Sequence, residues 1–346
     1  MELLDHLGIN YNGGEHQISL KNWIQGVVSL LLLFLFILSY QAVAVFATCL
    51  ASVFPDTASL IRNRFGNRFW DLGLCLMVCI FKILGDEMNP YPAVVISNHA
   101  SLADCFVMHH LSRISTAQDG DSFVGYHNQS LNLPIVNFFS WFLVWRVPTI
   151  KILLNLLKSD ENWELEEKSI LFVFARLLRS KFSEWIMLFP EVNIWTQESF
   201  DLQRQIGEKY CLPRLEHLLY PRYSAFYNVI TALQRYKPHP YSNLYDLTIL
   251  YSRETIDGKV DYTPPTLLQV FSSETPITIL VYIKVRSIAR IPQKRKKLER
   301  YLEHLWKHKD KIITQIKNEN TLYHTRRLDE SFASSLVANT SRSSAR

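Results

Sequence analysis

The sequence predicts an α/β domain held behind an N-terminal membrane anchor. Three observations carry that expectation. Residues 23–54 are predominantly apolar, and their centre, Val27 to Leu38, holds no charge and only Ser29 as a polar residue. Helix-like and strand-like stretches then alternate through most of the chain, the pattern of an α/β layer architecture. At the head of that alternation, the β-branched run Val94-Val95-Ile96 ends in Ser97-Asn98-His99, and a helical pattern begins just beyond.

Taken in order, residues 1–22 form a polar, slightly acidic leader with Asn12-Gly13-Gly14 in its middle. The apolar segment 23–54 exceeds the roughly 20 residues a helix needs to cross a bilayer core, and only a helix satisfies its own backbone in lipid. A cleaved signal peptide has a shorter core behind a basic start, so a retained anchor is expected. The leader carries Glu2, Asp5 and Glu15 against Lys21, and the far side carries Arg62, Arg64 and Arg68 against Asp56. The excess of cations after the anchor places the leader in the lumen and the bulk of the chain in the cytosol, as a single-pass protein.

A membrane-proximal segment, 55–92, follows. Its apolar part, Trp70 to Leu84, is interrupted by Asp71 and Lys82 and is expected to lie in the membrane interface or to pack on the core. From residue 93 to 318 a single domain is expected. Its strands are Ala93 to Ile96, Trp185 to Phe189 (stopped by Pro190), Leu247 to Tyr251 and Ile277 to Val285, with Leu218 to Pro221 as a further short apolar run of the same form. Helices are expected from Asp104 to about Leu111, over 164–180, and from Pro292 to about Ile313. The last carries Leu298, Tyr301, Leu302, Leu305 and Ile312 on one face, with Lys294, Arg295, Lys296, Lys297, Arg300, Lys307 and Lys311 around it. Those cations suit a solvated surface helix or a patch facing an anionic leaflet. Residues 319–346 are polar, and disorder is expected over 329–346.

Composition removes several classes. The 346 residues are 48% apolar, near the soluble average, which excludes a polytopic membrane protein. The net charge of +5 is mild, and no zinc-finger spacing or Arg-rich stripe points to nucleic acid. Cys49, Cys75, Cys79, Cys105 and Cys211 are odd in number, and the first three lie in strongly apolar stretches, so reduced thiols are expected rather than a disulfide framework. Cys75 and Cys79 have no His or Cys partners nearby, and no metal is expected there.

His99 and Asp104 are the residues in which chemistry is expected. Five residues apart, they would diverge by about 140° on a continuous helix. They meet if His99 precedes the helix, with Ser101 as N-cap and Asp104 at the third helical position. The histidine then donates Nδ1–H to the carboxylate and keeps Nε2 to accept a proton. The same Ser101-x-x-Asp104 also reads as a purely structural capping box.

The block Asn98-His99-Ala100-Ser101-Leu102-Ala103-Asp104 resembles the N-H-x-x-x-x-D motif of the glycerolipid acyltransferases, the lysophosphatidic-acid acyltransferase-like family. Phe189-Pro190-Glu191 resembles the start of that family's F-P-E-G-T block. Leu219-Tyr220-Pro221-Arg222, Tyr245-Asp246-Leu247-Thr248 and the run His304 to Lys311 resemble the lysocardiolipin acyltransferase-like branch. The resemblance covers about residues 23–313. It implies a mostly parallel sheet flanked by helices, and transfer of an acyl chain from acyl-CoA, as co-substrate with no resident cofactor, to the hydroxyl of a lysophospholipid or related glycerolipid. It implies His99 as base, Asp104 as its orienter, Glu191 and Asn98 as acceptor-site residues, and Arg146 and Arg222 as phosphate contacts. It also implies a site at the endoplasmic reticulum or another internal membrane. The sequence departs from the pattern where Val192-Asn193 stand in place of Gly-Thr, and where Val136, between Pro134 and Arg146, stands in place of a second-block glycine. Those departures motivate an alternative, a catalytically weak relative acting as a lipid-binding scaffold. A metal-dependent hydrolase using His99, Asp104, His109 and His110 lacks standard ligand spacing.

Overall fold

The computed structural model describes residues 20–118, 133–140, 143–150, 152, 183–235, 241–255 and 259–343. The leader before residue 20, the polar loop at 119–121 and the helix expected over 164–180 lie outside them.

A 31-residue helix, α1 (Leu20–Leu50), opens the described chain and is long and apolar enough to cross a membrane. It is not free-standing. Gly26, Ser29, Leu33, Ile37, Tyr40 and Ala47 are buried against the rest of the molecule, while Val28, Leu31, Leu35, Val45 and Phe46 stay exposed. Pro55 starts α2 (Pro55–Leu76) at the first helical position, where its missing N–H is no loss. The apolar stretch expected to lie at an interface is divided here. Trp70 to Leu76 completes α2, and Cys79–Gly85 is an edge strand, β1.

The remaining elements are β2 (Ala93–Ser97), α3 (Asp104–Gln118), β3 (Ile135–Ser140), β4 (Leu143–Trp145), β5 (Glu184–Leu188), α4 (Gln197–Lys209), α5 (Ser224–Arg235), β6 (Asn243–Glu254), β7 (Val260–Asp261), α6 (Leu267–Ser272), β8 (Ile277–Ser287) and α7 (Arg295–Ser343). The sheet order is β1-β8-β6-β2-β5-β3-β4, with β7 on β6. The strands β6, β2, β5 and β3 run parallel at its centre. The β6–β8 and β3–β4 ladders are antiparallel, so the sheet is mixed around a parallel middle.

A strand at the middle of such a sheet is buried on both faces and so reads as an unbroken apolar run. β2 does this: all five residues are buried. Val95 faces a core shared with α1, α2, α3 and α6, while Val94 and Ile96 face one shared with α5 and α7. Close helix packing on the first face depends on glycines. A Cβ on Gly26 would lie 2.8 Å from Leu268 Cδ1, and one on Gly73 would overlap the Phe106 ring at 2.0 Å.

Three other expectations change. Leu218 to Pro221 is largely buried but is not a strand: Tyr220 N–H donates to the Gln203 side chain (2.6 Å), and just beyond it Arg222 N–H donates to Pro190 O (2.7 Å). α7 does not stop near Ile313 but runs to Ser343, since the sequence after Pro292 holds no further Gly or Pro to end it. The seven cations expected around it, Lys294 to Lys297, Arg300, Lys307 and Lys311, are exposed, yet Lys309 is buried and α7 covers the opposite face of the sheet from α1.

Candidate active site

Parallel strands in an α/β sheet present their carboxyl ends together, and side chains of the following loops converge there. β2 and β5 are paired in parallel, Ile96 opposite Leu188, so the loops carrying His99 and Glu191 emerge side by side. The loop after β2 is fixed at several points. Asn98 continues the strand with its side chain: Nδ2 donates to Ile249 O (2.9 Å) and Oδ1 accepts from Ile249 N–H (2.8 Å). Ser101 Oγ accepts from Ala103 N–H (3.2 Å), as an N-cap does, and donates to Pro265 O (2.7 Å). Regular helix begins at Asp104, after a tight first turn.

His99 and Asp104 meet as the spacing predicts, with Nδ1 2.9 Å from Oδ2. Asp104 is wholly buried. Oδ2 also accepts from the N–H groups of Ala100 (2.8 Å) and Ser101 (3.0 Å), and Oδ1 from the Tyr251 hydroxyl (2.6 Å). Four donors on two oxygens suit a carboxylate, and they hold it in one orientation. The capping and catalytic readings of Ser101-x-x-Asp104 therefore describe one arrangement. The imidazole stacks on Phe189, with ring centroids 4.0 Å apart, and its Nε2 makes no hydrogen bond among the described residues. A neutral histidine donating at Nδ1 is thus left with Nε2 as acceptor.

Tyr251 was not found from the sequence. The signal was its alternation with Tyr245, Leu247 and Ile249 on one face of β6, but nothing in that pattern places it on a carboxylate 147 positions earlier. Its hydroxyl pKa is raised well above the usual tyrosine value by burial and by Asp104, so it remains a donor.

Glu191 lines the cavity at His99, with its carboxyl group held from within the protein. Oε2 accepts from the His99 backbone N–H (3.0 Å) and Oε1 from Trp306 Nε1 (2.9 Å), so both oxygens are engaged within the protein. The His99 carbonyl accepts from Trp195 N–H (2.8 Å), which fastens the histidine backbone on its other side. Burial pushes the Glu191 carboxyl up to about 8, outweighing these two N–H groups and the ammonium of Lys309, which is itself buried against Asp246 and the Leu247 carbonyl. A group protonated in the folded state and ionised in the unfolded one makes stability fall as pH rises between the two pKa values. We therefore expect unfolding stability to decline from about pH 4.5 to about pH 8, and the decline to be shallower in Glu191→Gln, as measured by denaturant titration across that range.

The departure at Val192 has a physical consequence. Its φ is 70°, in the left-handed region where a β-branched side chain is strained and glycine is not. The turn holds through Val192 N–H to Phe189 O (2.9 Å) and Asn193 N–H to Glu191 O (2.8 Å). Val192→Gly is expected to raise the unfolding free energy by about 1 kcal/mol, the left-handed penalty less the added chain entropy.

Arg146 is not at this site. The β3–β4 hairpin reverses the chain, so Arg146 returns toward the amino end of β5. There its guanidinium pairs with Glu184 (2.9 Å) and donates to Asn137 Oδ1 (2.9 Å) and to Asn63. Glu184 opens β5 and Glu191 follows its end, and the strand alone separates them by about 13 Å. Arg146→Met is expected to cost about 3 kcal/mol, because it strands the buried Glu184 charge, while the turnover of folded protein is unchanged. Calorimetry and an assay normalised to folded protein check both. Arg222 does lie beside Glu191, through its backbone bond to Pro190. His109 stacks on Trp70 (4.4 Å) and His110 on Phe81 (3.8 Å), both in aromatic packing rather than with His99.

A cavity of about 240 Å³ opens at His99. Its lining includes Trp195, His217, Tyr251 and Lys317.

No protein-family model matches the sequence. It is 24% identical over 184 residues to 1-acyl-sn-glycerol-3-phosphate acyltransferase 3 of Arabidopsis thaliana, covering 53% of this chain and 43% of that protein. It is 24% identical over 254 residues to an uncharacterized acyltransferase of Schizosaccharomyces pombe, covering 73% and 64%. A further match, 23% over 134 residues, is to lysophosphatidylinositol acyltransferase 10 of Caenorhabditis elegans, covering 39% and 32%. The chain thus spans about a third to two thirds of the length of these relatives. The crystal structure of the 1-acyl-sn-glycerophosphate acyltransferase PlsC from Thermotoga maritima overlays with a TM-score of 0.45 at 11% identity, covering 86% of this chain and 98% of that one.

Proposed function

We propose, from the premise that this chain is a divergent member of the glycerolipid acyltransferase family, that it transfers an acyl group from acyl-CoA to the hydroxyl of a lysophospholipid-type acceptor at a membrane. The observation that carries this reading is the His99–Asp104 pair, with Nδ1 bound to the carboxylate and His99 lining the cavity. Nε2 takes the proton of the acceptor hydroxyl as its oxygen attacks the thioester carbonyl. The resulting imidazolium is stabilised by the buried Asp104. As the tetrahedral adduct collapses the C–S bond breaks, and the proton passes from Nε2 to the departing thiolate. No protein nucleophile is needed. General-base assistance of this kind is worth roughly 10²- to 10⁴-fold.

Asn98 and Glu191 enter as residues that position His99, and Arg222 as the family-type cation nearest the acceptor. The exposed apolar face of α1 supports membrane attachment, the charge balance favours a cytosolic site, and the resemblance favours an internal membrane. The intact pair weighs against the scaffold alternative. Mass spectrometry of products formed from acyl-CoA and a panel of lysolipids tests the proposal. A diacyl product from at least one acceptor is expected, and none from any acceptor would remove it.

A further inference from the structure

The carboxyl group that holds the His99 N–H is itself held by the last helix. Glu191 Oε2 accepts from His99, and its other oxygen, Oε1, accepts the indole N–H of Trp306 on α7 (2.9 Å). Trp306 is wholly buried, and its ring centre lies 5.2 Å from the ammonium of Lys309, one turn further on. Lys309 is buried too. It donates to the Leu247 carbonyl and pairs with Asp246, whose other oxygen accepts from Arg286 Nε (3.0 Å). Leu247 is the β6 partner of Ser97, and Ile249 holds the Asn98 side chain by both its amide groups. Asp310 then accepts the N–H groups of Glu216 (2.9 Å) and His217 (2.8 Å), two residues that line the cavity. Residues 306–310 thus fasten the turn carrying Glu191, the strand beside His99 and one wall of the cavity.

Stability does not account for this choice of residues. Taking a lysine and carboxylates out of water costs about as much as their attraction returns, and apolar side chains of like volume often serve as well. Leu298, Leu302 and Leu305 already seat α7 on the sheet. What apolar side chains cannot do is aim a carboxyl group. With Oε1 fixed by Trp306, Oε2 is left facing the His99 N–H. The Lys309 ammonium favours the charged form of Glu191 against the burial that raises its pKa, and a charged acceptor makes the stronger bond to an N–H. A base is effective only with its nitrogen in hydrogen-bond reach of the hydroxyl.

We propose that Trp306 is a positioning residue, fixing the His99 backbone through Glu191, while Lys309 and Asp310 hold the segments on either side. α7 is then a part of the active site as well as a cover for the sheet. The inference rests on the acyl-transfer reading for its effect on rate. The link from Trp306 to His99 is measurable without any reaction.

The test is Trp306→Phe in the detergent-solubilised full chain, with steady-state kinetics and NMR of isotope-labelled histidine. Phenylalanine keeps a ring beneath Lys309 and removes the N–H. The kcat of acyl transfer is expected to fall about tenfold, with the KM of either substrate within about twofold of wild type. Glu191→Gln approaches the same bond from its other side, since its amide faces one of the two N–H donors. The double variant should be no slower than the slower single one, because both act through one contact, whereas independent effects would multiply. The His99 signal, identified by its absence from His99→Ala, is expected to shift in Trp306→Phe and in Glu191→Gln. Those of His109 and His110, packed on α2 and β1, should stay in place and show that the fold is intact. Leu305→Val, which thins the packing of the same helix, should lower the denaturation midpoint and leave kcat and the His99 signal alone. The inference is overturned if Trp306→Phe leaves the His99 signal in place, or leaves kcat in place in an active protein. It is equally overturned if the two losses multiply, or if Leu305→Val lowers kcat as much, which would reduce Trp306 to packing. A His99 signal that shifts in a protein forming no lipid product keeps the link and removes the reaction.

Discussion

His99→Ala is expected to lower the turnover of acyl transfer by roughly 10²- to 10⁴-fold while leaving a folded protein. The substitution removes the imidazole that takes the proton of the acceptor hydroxyl in the proposed reaction. It does not orphan the buried carboxylate behind it, because Asp104 keeps the N–H groups of Ala100 and Ser101 and the Tyr251 hydroxyl. The stability loss is therefore confined to the Phe189 stack and one hydrogen bond, about 1–2 kcal/mol. Parallel measurement of turnover and of the denaturation midpoint separates the two effects. A loss of turnover that merely followed a loss of folded protein would remove His99 from the chemistry.

Asp104→Asn is expected to produce a rate loss on the same order, 10²- to 10⁴-fold, for a different reason. Asparagine can keep its carbonyl toward the three N–H donors and turn its amide toward Tyr251, whose oxygen can accept as well as donate. The loop is thus kept nearly intact, but the negative charge that stabilises the imidazolium is gone. Tyr251→Phe is the milder member of the series. It leaves the charge but strands Oδ1 of Asp104, costing about 1.5–3 kcal/mol of stability. It is expected to lower turnover by about tenfold, the rate equivalent of roughly 1.4 kcal/mol. A small loss in Tyr251→Phe and a much larger, similar loss in Asp104→Asn and His99→Ala is the signature of a base held by a charge that is itself held by a hydroxyl.

What could be read from the sequence was what is local. His99 and Asp104 belong to one strand-to-helix turn, and turn geometry over five residues follows from capping rules alone. The central strands were legible because burial on both faces leaves an unbroken apolar run. Partners supplied from far along the chain were not legible. Tyr251 reaches Asp104 across 147 positions, and Trp306 reaches Glu191 across 115.

Arg146 misled for a topological reason, since a sequence gives no sign that a hairpin turns its arginine back to the wrong end of the sheet. Lys309 was hidden by its type. It sits on the buried face of α7 with Leu302, Leu305 and Trp306, yet among so many exposed cations it reads as one more. The Val192 departure was visible as a mismatch, but its physical meaning, a β-branched residue at φ 70°, needed the backbone.

The central claim is that a lipid hydroxyl, activated by His99, attacks the thioester directly. The most direct measurement is to incubate purified protein with acyl-labelled acyl-CoA, with and without a lysophospholipid, and to follow label in lipid, protein and thioester. The account predicts label in lipid when acceptor is present, and none on protein at any time. Label retained in the thioester with every acceptor, or an acyl-protein that forms without acceptor and is consumed when it is added, would contradict it.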